Sequence, residues 1–385
     1  MDTLIRQSVG IDIAKATFTA CIYQRLSDGS TRHSKVESFS NTSRGFNQLI
    51  KWVRKQCVPE PQVSYVMEAT GIYYEPLAYH LHKLQQSVSV VLPNKVKYYA
   101  KSLNVKSKTD AIDARVIAQM GAERNLSEWQ PAALVYRELR ALTRLYSELK
   151  AQRTAFSNQL QSMQSGHEPL AFIQKSLKGI IGKLDREITK TEAAIRQHIS
   201  NEEWLQQKVE KLMTIKGVGF ITVAIIVAET QGFQLITSAK QLASYAGYDV
   251  VQRESGSSIK GKTRISKKGN SRIRAALHFP ALVASRHNPK LAAVYQRINE
   301  GKSSKMIGAT ALQRKILVLL YALWKNDTTY QPKSDNQTNT SGNLETGTPL
   351  RHEGKTLENK AGRPSDLPAQ DGLPLNQSTE ALLRQ

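Results

Sequence analysis

Ser8-Val-Gly-Ile-Asp-Ile-Ala-Lys-Ala-Thr-Phe-Thr-Ala-Cys-Ile-Tyr23 is the stretch on which the fold turns. Val9–Ala14 and Thr17–Tyr23 are β-rich runs separated by a short Lys-Ala turn, which predicts a hairpin. Asp12 interrupts the first run with Ile11 before it and Ile13 after it. A carboxylate between two core residues is costly unless it points toward a ligand or partner. The competing assignment is an ordinary strand-end or turn aspartate.

Further along, Lys35–Phe39 is expected to be a third strand. A helix from Arg44 to about Lys55 follows, entered through the capping residues Asn41-Thr-Ser43. Val63–Met67 reads as a short buried strand, Glu75–Leu84 as a helix entered at Pro76, and Val88–Leu92 as a continuous apolar strand. Three hairpin-type strands followed by strand–helix alternation predict a ribonuclease-H-like α/β layer over residues 7–128. Residues 131–210 change to a three-four apolar rhythm: Val135, Leu139, Leu142 and Leu149, then Ile173, Leu177, Ile180 and Leu184 after a break at Gly166-His-Glu-Pro169. That predicts two long amphipathic helices, in a coiled-coil hairpin or at the edge of a helical bundle. Residues 211–326 predict a compact helical domain. The stretch 328–385 is polar, nearly without aromatics and aperiodic, and is expected to be disordered.

The formal net charge is +22 and the pI is about 9.9. From Gln331 onward six Lys/Arg face seven Asp/Glu, so the excess lies in residues 1–330. A body so basic repels itself unless a polyanion neutralises it, which points to nucleic acid. Only Cys21 and Cys57 occur, without metal-ligand spacing, which fits a reducing cytoplasm and excludes a disulfide framework. No run of 18 apolar residues and no apolar core in Met1–Arg6 is found, so no membrane partner or signal peptide is expected.

Three further acids join Asp12. Glu68 ends an apolar strand in Val66-Met-Glu-Ala-Thr-Gly71, and Asp110 and Asp113 open a predicted helix over Ala111–Met120 in Lys108-Thr-Asp-Ala-Ile-Asp-Ala114. Three apart, Asp110 and Asp113 share a helix face, where they could also simply complement the helix dipole. Taken as a set, four carboxylates on two strands and one helix supply the oxygen ligands of a two-metal phosphate site. Far downstream, Glu254-Ser-Gly-Ser-Ser-Ile-Lys-Gly261 places Ser255, Ser257 and Ser258 in a loop followed by Lys260, Lys262, Arg264, Lys267, Lys268, Arg272 and Arg274. A Ser/Gly loop is usually a connector, and a basic run usually tracks phosphates. No histidine lies close enough in sequence to activate a serine; His278 and His287 are the nearest. Gly217 and Gly219 in Thr214-Ile-Lys-Gly-Val-Gly-Phe220 precede an apolar helix over Ile221–Thr230. They either admit a phosphate, as in a helix-hairpin-helix, or make a plain helical turn. His80 and His82, two apart, diverge on a helix.

The segments Gly-Ile-Asp-Ile-Ala-Lys, Met-Glu-Ala-Thr-Gly, Lys-Thr-Asp-Ala-Ile-Asp-Ala-Arg, Lys-Gly-Val-Gly and Glu-Ser-Gly-Ser-Ser-Ile-Lys-Gly, in this order over about residues 7–326, resemble the DEDD transposases of insertion sequences. That group includes the Piv-type invertases and the bridge-RNA-guided recombinases. The resemblance implies a RuvC-like domain whose tetrad, here Asp12, Glu68, Asp110 and Asp113, binds Mg²⁺, with Mn²⁺ as a possible substitute. It implies a coiled-coil dimerisation segment and a nucleophilic serine matching Ser255, with Ser257 and Ser258 as neighbours. It also implies donor and target DNA, a structured noncoding bridge RNA, a homo-oligomer (a dimer or a dimer of dimers) with shared active sites, and a bacterial cytoplasmic setting. The alternative is a Holliday-junction-resolvase-like nuclease that attacks with water. Two departures occur: Lys216 stands where the family commonly has Pro, and Tyr248-Asp-Val250 replaces a Leu-X-Pro ending.

Overall fold

A computed structural model describes residues 3–167, 170–234, 236–252, 254–255, 259–261 and 263–331; the expected disordered tail falls almost wholly outside them. β1 (Leu4–Ile13) and β2 (Thr17–Leu26) form the expected hairpin, antiparallel, with Asp12 opposite Thr19. The expected third strand is two pieces, β3 (Thr31–His33) and β4 (Glu37–Ser40), both on the outer edge of β2. Ser34 divides them: its hydroxyl accepts from the Ile22 amide at 3.0 Å and donates to the Lys35 carbonyl at 2.7 Å, replacing a rung of the ladder.

α1 (Ser43–Gln56) starts at Thr42, whose side chain accepts from the Gly45 amide, and buries Phe46, Leu49, Ile50 and Val53. β5 (Val63–Glu68) then pairs parallel to β1, and after α2 (Glu75–Lys83), β6 (Ser87–Val91) pairs parallel to β5. The result is a mixed sheet in the order β3-β2-β1-β5-β6, with β4 also on β2. α1 and α2 close one face over Val9, Ile11, Ile13, Tyr65 and Met67. α3 (Pro93–Ser102), opened by Pro93 and not anticipated from the sequence, packs with α4 (Asp110–Glu123) around Val66, Val91 and Ile117.

α5 (Leu134–Gln164) and α6 (Ala171–Ser200) run antiparallel as a helical hairpin. Arg153 Nε meets Asp185 Oδ1 at 3.0 Å midway, and His198 Nε2 lies 2.8 Å from the Val135 carbonyl at the base. The base does not stand apart: Tyr136, Leu139, Ile195 and Ile199 belong to one hydrophobic core with the helices that follow. Those are α7 (Glu203–Met213), α8 (Phe220–Thr230) and α9 (Ala239–Tyr245), then, after short strands, α10 (Ser271–Ala276), α11 (His278–His287), α12 (Pro289–Asn299) and α13 (Met306–Asn326). α13 is long and apolar enough by composition to cross a membrane. Here Leu312, Ile316, Leu317 and Leu320 are fully buried in the protein core.

Between α9 and α10 the described residues include four two-residue strands. β7 (Val250–Val251) pairs antiparallel with β10 (Arg264–Ile265), and β8 (Glu254–Ser255) with β9 (Ile259–Lys260). Arg144 on α5 makes a two-pronged pair with buried Glu229 on α8, at 2.8 and 3.0 Å, and Asn270 donates to the same carboxylate at 2.7 Å. Burial alone would raise the Glu229 pKa, but these hydrogen bonds outweigh it and hold the group below the usual glutamate range.

Candidate active site

β1 and β5 run parallel with Ile11 level with Met67, so Asp12 and Glu68, one residue on in each, come to the same end of adjacent strands. Alternation sends Ile11 and Ile13 into the α1/α2 core and leaves Asp12 on the α4 face, half-buried. α4 can reach that face because of Gly10. A β-carbon there would lie 2.0 Å from the Ala118 amide nitrogen and 2.3 Å from the Ala114 carbonyl oxygen. Gly121, one turn later, is similarly bound to Ser8: its β-carbon would sit 2.1 Å from the Ser8 hydroxyl. The helix backbone therefore lies directly on β1. Two residues beyond Gly10, Asp12 meets the start of that helix, where Asp110 and Asp113 stand in the first turn. Thr109 fixes the start, its hydroxyl accepting from the Ile112 amide at 3.2 Å.

The electrostatics report the same convergence. Burial, and then the charges of Asp113, Asp110 and Glu68, push the Asp12 carboxyl up to about 6. Glu68 is raised by burial and by Asp113. Asp113 is raised by burial and by Asp110, against the opposing charge of Lys108. Lys108 opposes the rise at all three groups. All four donors are hard carboxylate oxygens whose mutual repulsion a divalent cation would offset, so the set fits Mg²⁺ or Mn²⁺ in charge and chemistry. Among the described residues no three His, Cys, Asp or Glu side chains are yet gathered closely enough to hold one ion.

The downstream residues have other surroundings. Ser255 sits on β8 opposite Ile259, and Lys260 on β9 opposite Glu254. Ser257, Ser258 and Lys262 lie outside the described residues. Among the described residues, no principal packing joins the β8–β9 hairpin to β1, β5 or α4. Arg264, Lys267 and Lys268 are exposed. Arg272 pairs with Glu148 at 3.5 Å, while Arg274 donates to the Ala246 and Gly269 carbonyls at 2.8 and 3.2 Å. Gly217 needs its glycine, with φ of 98°, and its close approach is to α11, since a β-carbon would lie 3.2 Å from the Ala284 amide. Gly219 caps α8 and opens to free space.

Sequence reasoning did not single out Gly10, Gly121 or Lys108. The stripe Ala114, Ala118, Gly121 at helical spacing was the available signal, since small residues at such spacing let a helix sit close on its neighbour.

Acids at two strand ends and a helix start, in a chain this basic, point to a protein that acts on nucleic acid. Comparison with known proteins narrows the class. Residues 9–169 match the IS110-type DEDD transposases, and residues 209–296 match the transposase IS116/IS110/IS902 family. The chain is 32% identical over 323 residues to the pilin gene-inverting protein of Moraxella lacunata, covering 82% of this chain and 94% of that one. A 24% identity over 227 residues relates it to the transposase of insertion sequence element IS1328 of Yersinia enterocolitica, over 52% of this chain and 65% of that one. The chain belongs to the IS110-type DEDD transposases.

Proposed function

We propose that this transposase cuts and exchanges DNA strands through a covalent phosphoserine formed at Ser255, with Asp12, Glu68, Asp110 and Asp113 as the divalent-metal ligands. The observation that carries the reading is the placement of these acids at the ends of β1 and β5 and in the first turn of α4, with Asp12 raised to about 6 by burial and by the charges of the other three. When bound there, Mg²⁺ or Mn²⁺ supplies Lewis-acid stabilisation of a phosphoryl group. The Ser255 Oγ forms a bond to the scissile phosphorus, the bond to the 3′-oxygen breaks, and the serine proton is passed on as that oxygen leaves as a hydroxyl. Attack by an exchanged 3′-hydroxyl reverses these steps on a new partner. The ester is conserved throughout, so no nucleotide hydrolysis is required.

The sheet order, with three antiparallel strands followed by two parallel additions, supports a RuvC-like, ribonuclease-H-like domain. The α5–α6 hairpin supports a coiled-coil dimerisation role. On this reading the tetrad of one protomer serves the Ser255 of another within a dimer or a dimer of dimers, and a structured noncoding RNA pairs with donor and target DNA. The relatives' description as pilin gene-inverting makes inversion one outcome of the same chemistry.

A second reading draws on the absence, among the described residues, of principal packing between the β8–β9 hairpin and the tetrad's elements: water attacks at the tetrad, and Ser255 is a bystander. The test incubates the protein with element-end DNA, its co-purified RNA and Mg²⁺, and runs the products on a denaturing protein gel. Labelled DNA that migrates with the protein, and is lost in Ser255→Ala, supports the serine route. Free cut ends that survive the substitution establish the water route.

A further inference from the structure

α13 has two faces. One closes the core through Leu312, Ile316, Leu317 and Leu320. On the other, Met306, Thr310 and Arg314 follow at four-residue spacing, beside Ile307, Ala311 and Lys315 at the same spacing. Two rows offset by one residue lie along a single helical face. That face is one wall of a groove of about 990 Å³. The opposite wall is the β7–β10 ladder, which brings Val250, Arg264 and Ile265, with Lys267 just beyond.

The lining has two chemistries. Val250, Met306 and Ile307 leave 53%, 51% and 50% of their surfaces exposed. Around them stand Arg264, Lys267, Arg314 and Lys315, and among the described residues no acidic side chain lines the groove. Among the described residues none of these four cations is held in an ion pair. A second copy of this chain would gain from the apolar floor but would have to supply acids to meet the rim. A closed duplex would meet the rim with its phosphates and gain little from the floor. An opened nucleic-acid strand satisfies both, because its phosphates track cations while its unstacked bases lie on apolar side chains. Position selects which strand. β7 leads straight into β8, and Ser255 is four residues past Val251, at most about 14 Å of extended chain.

We infer that this groove holds one opened DNA strand beside Ser255, with phosphates on Arg264, Lys267, Arg314 and Lys315 and bases against Met306 and Ile307. The inference rests on the serine reading above. It extends the DNA surface to α13, far along the chain from the basic run that follows the serine loop.

The test uses the full chain and three fluorescent probes of one mixed sequence: a DNA single strand, the same DNA as a duplex, and the RNA single strand. Binding is followed by anisotropy across a salt series. Arg314→Glu/Lys315→Glu, both at exposed positions, should weaken single-strand DNA binding about tenfold or more and reduce the salt slope by about 1.4, as expected for two lost phosphate contacts. Met306→Ser/Ile307→Ser should weaken single-strand DNA binding while leaving the duplex and the salt slope unchanged. Unchanged DNA affinity in both variants, or a loss confined to RNA, overturns the inference. A changed oligomeric state at unchanged DNA affinity overturns it in favour of a second copy of this chain. Thermal unfolding like that of the unaltered protein confirms that each variant is folded. The serine reading is judged separately: an unaltered protein that forms its DNA adduct while both groove variants bind normally leaves that reading standing without this groove.

Discussion

Asp12→Asn should stabilise this protein without metal and cancel its response to metal. The Asp12 carboxyl rises from its ordinary 3.8 to about 6 in the folded chain. Between those values the folded chain holds a proton that the unfolded chain has released, so stability falls as pH rises through this window. The penalty is complete above about pH 6 and absent below about 3.8. At about 1.4 kcal/mol per pKa unit the full cost would be roughly 3 kcal/mol. Asp12 is only half-buried, and solvent screening reduces this to about 1–2 kcal/mol. For a chain of this size that is about 1–2.5 °C in Tm. The assay is thermal unfolding of both proteins in a chelating buffer at about pH 7.5 and about pH 4, then with saturating Mg²⁺. In chelator the variant should unfold higher at neutral pH, with the gap closing in acid. A ligand at about 100 times its Kd adds about 2.7 kcal/mol to the protein that binds it, so Mg²⁺ should reverse the order. A variant less stable than the unaltered protein in chelator at neutral pH would refute the account of a repelled, half-buried acid. Equal shifts with Mg²⁺ in both proteins would refute Asp12 as a ligand.

Two other substitutions probe how the site and the downstream core are held. Gly10→Ala drives a β-carbon into the α4 backbone, and should cost about 2–4 kcal/mol in urea unfolding along with the Mg²⁺-induced shift. A well-folded Gly10→Ala protein that keeps that shift would show that the close β1–α4 approach is not what assembles the acids. Arg144→Ala leaves Glu229 buried with Asn270 as its remaining side-chain donor. With the Arg144 side chain 41% exposed, the loss should be about 2 kcal/mol, below that of a fully buried pair. Because Glu229 is held below its ordinary 4.5, the stabilisation is present above that value and is lost as pH falls through the lowered one. The gap between the two proteins should therefore narrow in acid, and a gap independent of pH would contradict the pairing.

Local pattern carried a large part of this protein. The β1–β2 hairpin, the parallel strands β5 and β6, α1, α2 and α4 and the long α5–α6 pair each follow from apolar periodicity or a capping residue, signals that lie within a few residues of one another. The four acids stood out for the same reason, as charges set into or just beyond apolar runs. Elsewhere the local signal was too thin. A single serine hydroxyl that takes a strand's place splits β3 from β4, and Pro93 opens α3 in a stretch without marked periodicity. Other features depend on partners distant in sequence. Gly10 matters because a helix that starts one hundred residues later lies on it. Arg274 and Gly217 resemble phosphate contacts in sequence, whereas tertiary packing turns Arg274 to two carbonyls and Gly217 to α11. The groove lined by Arg264 and Arg314 has one wall on the β7–β10 ladder and the other on α13. Periodicity and capping are properties of neighbouring residues and can be read along the chain. Close backbone approach, the burial and mutual repulsion that raise Asp12 and the pairing of groove walls are properties of distances through space, which exist only once the chain has folded.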